Sequence, residues 1–294
     1  MPDRPITILH RSPRLTASYL RAAVPRRRRS GEVPPQQLVL PNVRLDPAHV
    51  ARYREVCGWP QGRELPVTYP HILGFGLTMA LLTRPDFPLA PIGLVHLHNS
   101  IRRLDTIDPD TPLTLRAWAD PLQDHPSGVT VDVHTTLTAA DSQVPQWRSV
   151  STYLRRGPRG ASSGPAPHPC GPDRNEIDTT WRVARNMGRR YASVSGDRNP
   201  IHLHPLTARP FGFRRAIAHG MWTKARCLAL LESSAGGAPP APSCQVEVTF
   251  RTPVLLGSDV RLHAGSTDEG WAFELGSPNG DRWHLRGHLS TPGS

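Results

Sequence analysis

A chain of 294 residues has room for two ordinary domains and a sizeable buried core. With 37% hydrophobic and 20% charged residues it falls in the globular range, and it lacks the run of about 18 apolar residues that a membrane-spanning helix needs. The formal charge of +11 rests almost wholly on arginine, Lys224 being the sole lysine. Such a basic surface draws acidic partners at long range (phosphorylated coenzyme A, an acidic carrier protein, nucleic acid) without choosing among them.

In chain order, residues 1–36 carry Arg11, Arg14, Arg21 and the run Arg26–Arg29 with few acids, and read as an unstructured basic arm. Ile72–Thr83 is an apolar helical stretch closed by Arg84-Pro85. Strand-like segments follow at Ile92–Ile101, Leu113–Trp118, Gly128–Leu137 and Trp147–Leu154. Val129, Val131 and Val133 alternate with Thr130, Asp132 and His134, the period-two pattern of a half-buried strand. Residues 157–173 are a Pro/Gly/Ser tract that reads as a linker between halves at 37–156 and 174–294.

The second half repeats the order. Ala218–Ser233 is the helical stretch, and Gln245–Leu255, Asp259–Ala264, Trp271–Leu275 and Trp283–Leu289 are the strands. One helix and several antiparallel strands, written twice, predict two α+β units of the same kind. Cys57, Cys170, Cys227 and Cys244 are scattered with no C-x-x-C pair. That pattern fits free thiols in a reducing cytoplasm rather than a zinc site or a disulfide framework.

The chemistry concentrates in residues 191–221. Ser195-Gly196-Asp197 and Asn199-Pro200 are turn formers, so Asp197 and His202 lie in or beside one tight loop. A carboxylate and an imidazole brought together across a turn can hold a water and move a proton. His219-Gly220-Met221 opens an apolar helix whose first amides lack internal partners. Gly220 permits close backbone approach, so its N–H suits a developing oxyanion. Alone, each piece has a plainer reading: an Asx turn for Asp197, and backbone-bonded structural histidines for His204 and His219. Their conjunction points to proton chemistry beside a carbonyl.

The string Tyr-Ala-x-x-Ser-Gly-Asp-x-Asn-Pro-Ile-His, followed by Gly-Phe and Ile-Ala-His-Gly-Met, resembles the signature of the MaoC-like, (R)-specific enoyl-CoA hydratases. The resemblance implies an α+β double hotdog, in which each antiparallel sheet wraps a central helix. It also implies that Asp197 and His202 are the catalytic dyad and that Gly220 supplies the oxyanion amide. Asn199, Ser195 and Gly196 would shape the loop, with His219 and Met221 beside it. The first half, from Leu65 to His96, resembles the amino-terminal part of double-hotdog dehydratases but has no Ser-Gly-Asp-x-Asn-Pro-x-His of its own. It is expected to be a degenerate copy that lends a groove to the acyl chain, with Phe75, Met79 and Leu82 as candidate lining.

The expected function is reversible hydration of trans-2-enoyl thioesters, or dehydration of (3R)-3-hydroxyacyl thioesters, on coenzyme A or acyl carrier protein. No metal, nicotinamide or other cofactor is expected, and no specific nucleic acid. The expected assembly is a pseudo-dimeric monomer or a homodimer. The rivals are a hotdog thioesterase, against which the Asp-x-Asn-Pro-x-His loop speaks, and a non-catalytic acyl-thioester binder, against which the intact dyad speaks.

Overall fold

The computed structural model describes residues 4–23, 31–157, 176–234 and 242–291. In chain order the first part holds β1 (Ile6–Ile8), α1 (Leu15–Ala23), β2 (Gln37–Val43), α2 (Pro47–Cys57), α3 (Tyr69–Leu82), β3 (Leu94–Arg103), β4 (Leu113–Ala119), β5 (Gln123–His125), β6 (Gly128–Ala139) and β7 (Trp147–Arg156). The second holds β8 (Ile177–Arg182), α4 (Met187–Ser195), α5 (Pro200–Leu203), α6 (Pro205–Ala208), α7 (Gly220–Ser234), β9 (Cys244–Phe250), β10 (Asp259–Thr267), β11 (Gly270–Gly276) and β12 (Trp283–Ser290).

Both long helices begin where the sequence allows and are buried because it demands it. Pro70 sits in the first turn of α3, where a missing N–H costs nothing. Beyond it the helix is apolar on nearly every side, so it must be enclosed. The same holds for α7, whose Met221, Trp222, Ala225, Leu228 and Leu231 are all in the core. Each helix belongs to one set of strands, β2-β4-β6-β7-β3 for α3 and β9-β12-β11-β10-β8 for α7. This is the predicted α+β double hotdog.

The two strand sets are edge-to-edge partners. β3 pairs antiparallel with β9, placing Asn99 opposite Val248 and Ile101 opposite Val246, and the result is one 12-stranded sheet. One hydrophobic cluster runs through it, from Tyr53 and Leu77 to Phe273 and Leu285.

Two expectations need correction. Residues 1–36 are not an unstructured arm throughout: β1 adds to β2 as a parallel edge strand, and α1 turns Ser18 and Ala22 into the protein. The arginines hid a short amphipathic helix, with Leu15, Ser18, Tyr19 and Ala22 on its inner stripe. The run Arg26–Arg29 lies outside the described residues. Strand β9 stops at Phe250 rather than Leu255, because Pro253 has no N–H for a ladder, and Leu255 pairs alone with Ile217. The linker beyond Gly157 and Cys170 lie outside the described residues; Cys57, Cys227 and Cys244 are free and buried.

Candidate active site

Helix α4 ends on the turn that carries the site. Gly196 takes φ 72°, the left-handed conformation in which a helix closes and a side chain would be strained. The next residue therefore leaves the helix axis with its amide on Ser195 Oγ at 3.1 Å, while Ser195 Oγ donates to Tyr191 O. Asn199 caps α5, its Oδ1 accepting from Ile201 N, and one turn later α5 delivers His202. Asn199 N donates to Asp197 Oδ1 at 3.1 Å. The short span from Asp197 to His202 thus brings carboxylate and imidazole to one place.

The segment before α7 closes the other side. His202 Nδ1–H donates to Ile217 O at 2.9 Å, which leaves Nε2 as the basic nitrogen of the neutral ring. His219 Nε2–H donates to Asp197 O at 2.9 Å and stands 3.8 Å from Asp197 Oδ2. The two imidazoles stack at 3.7 Å. Both are buried, at 8% and 3% exposure, whereas the Asp197 side chain keeps 25%. The carboxylate can therefore meet a small molecule while the histidines cannot leave.

Burial, set against the pull of Asp197, drives the His202 pKa below the ordinary value. His219 falls further, to about 3, through burial and then the neighbouring His202. For Asp197, burial pushes upward, but His219, His202, the Asn199 amide and the Tyr19 hydroxyl hold the pKa below the usual carboxylate value. At neutral pH the site is an ionised carboxylate beside neutral imidazoles, the state in which a water can be both held and deprotonated.

Gly220 is the first residue of α7, so its N–H has no helical acceptor. A Cβ there would lie 3.1 Å from the Phe250 ring, so the glycine lets the helix end approach that wall. These groups open on a cavity of about 500 Å³. From the second half it is lined by Ser195, Asp197, Asn199, His202, His219, Gly220 and Met221, and from the first by Phe75, Met79 and Leu82. Of the predicted site residues, Gly196 alone does not line it; its work is in the turn beneath.

Asp197, His202 and His219 each offer one ligand atom within 4.8 Å of the others, spacing that would also suit a metal ion. His202 Nδ1 and His219 Nε2 are already committed to backbone carbonyls, which leaves Asp197 Oδ2, His202 Nε2 and the buried His219 Nδ1 without a hydrogen bond among the described residues. A carboxylate oxygen beside an imidazole nitrogen is also what holding and deprotonating a water requires.

Sequence reasoning missed part of the wall. Tyr19 of α1 reaches Asp197, and His71, His96 and Tyr153 line the cavity from the first half. His96 stacks on Tyr153 at 4.7 Å. Burial alternates over Asn99–Arg103 of β3 and Trp147–Ser151 of β7 but not at His96 or Tyr153, and nothing local ties those two to a distant loop.

Residues 171–275 match the MaoC like domain. The chain belongs to the MaoC-like dehydratase family and is a hydro-lyase of the double-hotdog kind. Its likeness to 3-hydroxyacyl-thioester dehydratase X of Mycobacterium tuberculosis is 34% identity over 248 residues, 84% of this chain and 86% of that protein. The crystal structure of HtdX from the same organism superposes with a TM-score of 0.73 at 32% identity, over 86% of this chain and 98% of that one. A 3-hydroxybutyryl-CoA dehydratase of Methylorubrum extorquens is 40% identical over 74 residues, 24% of this chain and 45% of that protein. A MaoC-like dehydratase from Phytophthora capsici shares the fold, with a TM-score of 0.72 at 17% identity over 87% of this chain and 95% of that one.

Proposed function

We propose that the chain reversibly adds water to trans-2-enoyl thioesters and removes it from (3R)-3-hydroxyacyl thioesters, with Asp197 and His202 as the acid–base pair. The observation that carries this reading is the meeting of an Asp197 carboxylate oxygen and a His202 nitrogen within 4.8 Å on a cavity that also holds the Gly220 amide. In hydration, Asp197 Oδ2 and His202 Nε2 hold the water. Its oxygen bonds to C3 as the C2–C3 π pair moves toward the thioester carbonyl. The negative charge that develops on the carbonyl oxygen is stabilised by the Gly220 N–H. The proton lost by the water passes to the pair and returns to C2, so no group is consumed.

The apolar side of the cavity suits an acyl chain laid along α3 against Phe75, Met79 and Leu82. Arg156 and Arg251 also line it, and both suit the phosphate of coenzyme A or of a carrier-protein arm. We read residues 37–156 and 174–294 as the two hotdog units; the β3–β9 pairing supplies within one chain the seam that separate subunits would otherwise form. Losing a general base typically costs on the order of 100-fold or more. Asp197→Asn and His202→Ala are each expected to lose nearly all hydration of crotonyl-CoA while melting like the wild type. Near-wild-type turnover in either would end the assignment.

A further inference from the structure

Helix α1 is set directly against the acid–base loop. Tyr19 O–H donates to Asp197 Oδ1 at 2.8 Å, and Arg198 N–H donates to the same phenol oxygen at 2.8 Å. One side chain thus bridges the carboxylate and the backbone amide that follows it. On the same inner stripe, Leu15 packs on Gly196 so closely that a Cβ there would collide with it, and Ala22 lines the cavity next to Tyr19. With the Asn199 amide also on Oδ1, that oxygen has two donors. Among the described residues Oδ2 accepts no hydrogen bond; its neighbour is His219 at 3.8 Å.

We propose that Tyr19 is a positioning residue for the acid–base pair: by occupying Oδ1 it fixes the carboxylate rotamer and leaves Oδ2 as the oxygen that meets the water. The inference rests on the function proposed above and adds a division of labour between the two oxygens. If Tyr19 merely fastened α1 to the body, an apolar residue would do, as it does at Leu15. A phenol aimed at a carboxylate is different, because the bond strengthens when the carboxylate is ionised. Tyr19 is therefore coupled to the charge the chemistry uses, and the Asp197 pKa is lowered in part by this bond.

The test compares the full chain with Tyr19→Phe, Leu15→Ala and Asp197→Asn, using crotonyl-CoA hydration across pH together with thermal melting. Tyr19→Phe removes one oxygen and keeps the ring, so it is expected to fold and melt close to the wild type. Its kcat is expected to drop roughly tenfold to a hundredfold, the scale of one lost charge-assisted hydrogen bond. KM should hardly change, and the acid limb of the kcat profile should move to higher pH. Leu15→Ala is expected to lower the melting temperature and leave that limb in place. The inference is overturned if Tyr19→Phe keeps wild-type kcat, or if it loses activity with an unmoved acid limb, as a structural anchor would. Asp197→Asn separates the two claims. Inactive Asp197→Asn beside an unaffected Tyr19→Phe removes only the role of Tyr19, whereas an active Asp197→Asn removes the reading of the site itself.

Discussion

Lys224 and Asn99 meet across the junction of the two strand sets, with Lys224 Nζ 2.7 Å from Asn99 Oδ1 and 3.0 Å from its carbonyl oxygen. Val246 O is the third acceptor, at 3.0 Å. An ammonium has three donors, and here each is matched. The side chain is fully buried, and the Asn99 amide is itself held by Ser149 and Ser151. Helix α7 is therefore tied to β3 and β9 at once. Lys224→Met would leave the Asn99 oxygens and Val246 O without that donor. A stability loss of roughly 2–4 kcal/mol is expected, read as a lower urea midpoint with unchanged slope. An unmoved midpoint would show that the seam holds without it.

The Gly220–Phe250 contact supports a coupled pair of substitutions. Alanine improves helix propensity by about 0.5–1 kcal/mol over glycine, so Gly220→Ala should not greatly weaken the fold. Its methyl would nonetheless press on a ring 3.1 Å away and displace the amide. We expect kcat to fall by about tenfold or more, with partial recovery in Gly220→Ala/Phe250→Leu, where the wall can yield. Additive effects in the double variant would argue against the contact.

Acid sensitivity follows from histidines whose surroundings disfavour the charged ring. Burial lowers the pKa of His71 from 6.5 to about 4 and that of His219 from 6.5 to about 3. Below 6.5 the unfolded chain takes up protons that the folded chain refuses, so the unfolded state is favoured as pH drops. Stability should therefore rise with pH between about 4 and 6.5 and level off above. His71→Phe should flatten that slope in a series of urea midpoints, while an identical slope would show that His71 titrates freely.

The cavity wall on α3 predicts selectivity. Met79 is buried and lines the cavity beside Phe75. Met79→Trp should fill that end, cutting kcat/KM for a long-chain enoyl-CoA at least tenfold while crotonyl-CoA turnover is nearly unchanged. Equal loss on both substrates would place the acyl chain elsewhere.

Legibility in the sequence followed distance along the chain. Asp197 and His202 share one loop, so their convergence could be read from turn formers alone, and α3 and α7 stood out as apolar stretches. Helix α2 carried its own punctuation, Asp46 capping Ala48 N and Gly58 closing in the left-handed conformation, yet its mixed face gave no period to count. Strands β2 and β8 gain their identity from partners. Tyr19 was invisible because arginines surround it and the carboxylate it serves is nearly the rest of the protein away. His71 and His96 lie in segments whose family likeness was less sharp than that of the acid–base loop, and only packing shows that they face the cavity.

The Tyr19–Asp197 bond joins residues 178 positions apart. During synthesis α1 leaves the ribosome long before α4 and its loop, so its packing on α3 can form well ahead of the Tyr19 bond. Contacts of such separation form late, after the entropy of closing the intervening chain has been overcome. Docking of Tyr19 on Asp197 would then be a late step of folding. A partly folded chain would hold both hotdog helices and the Asp197–His202 loop, and would work below its full rate until α1 docks on that loop.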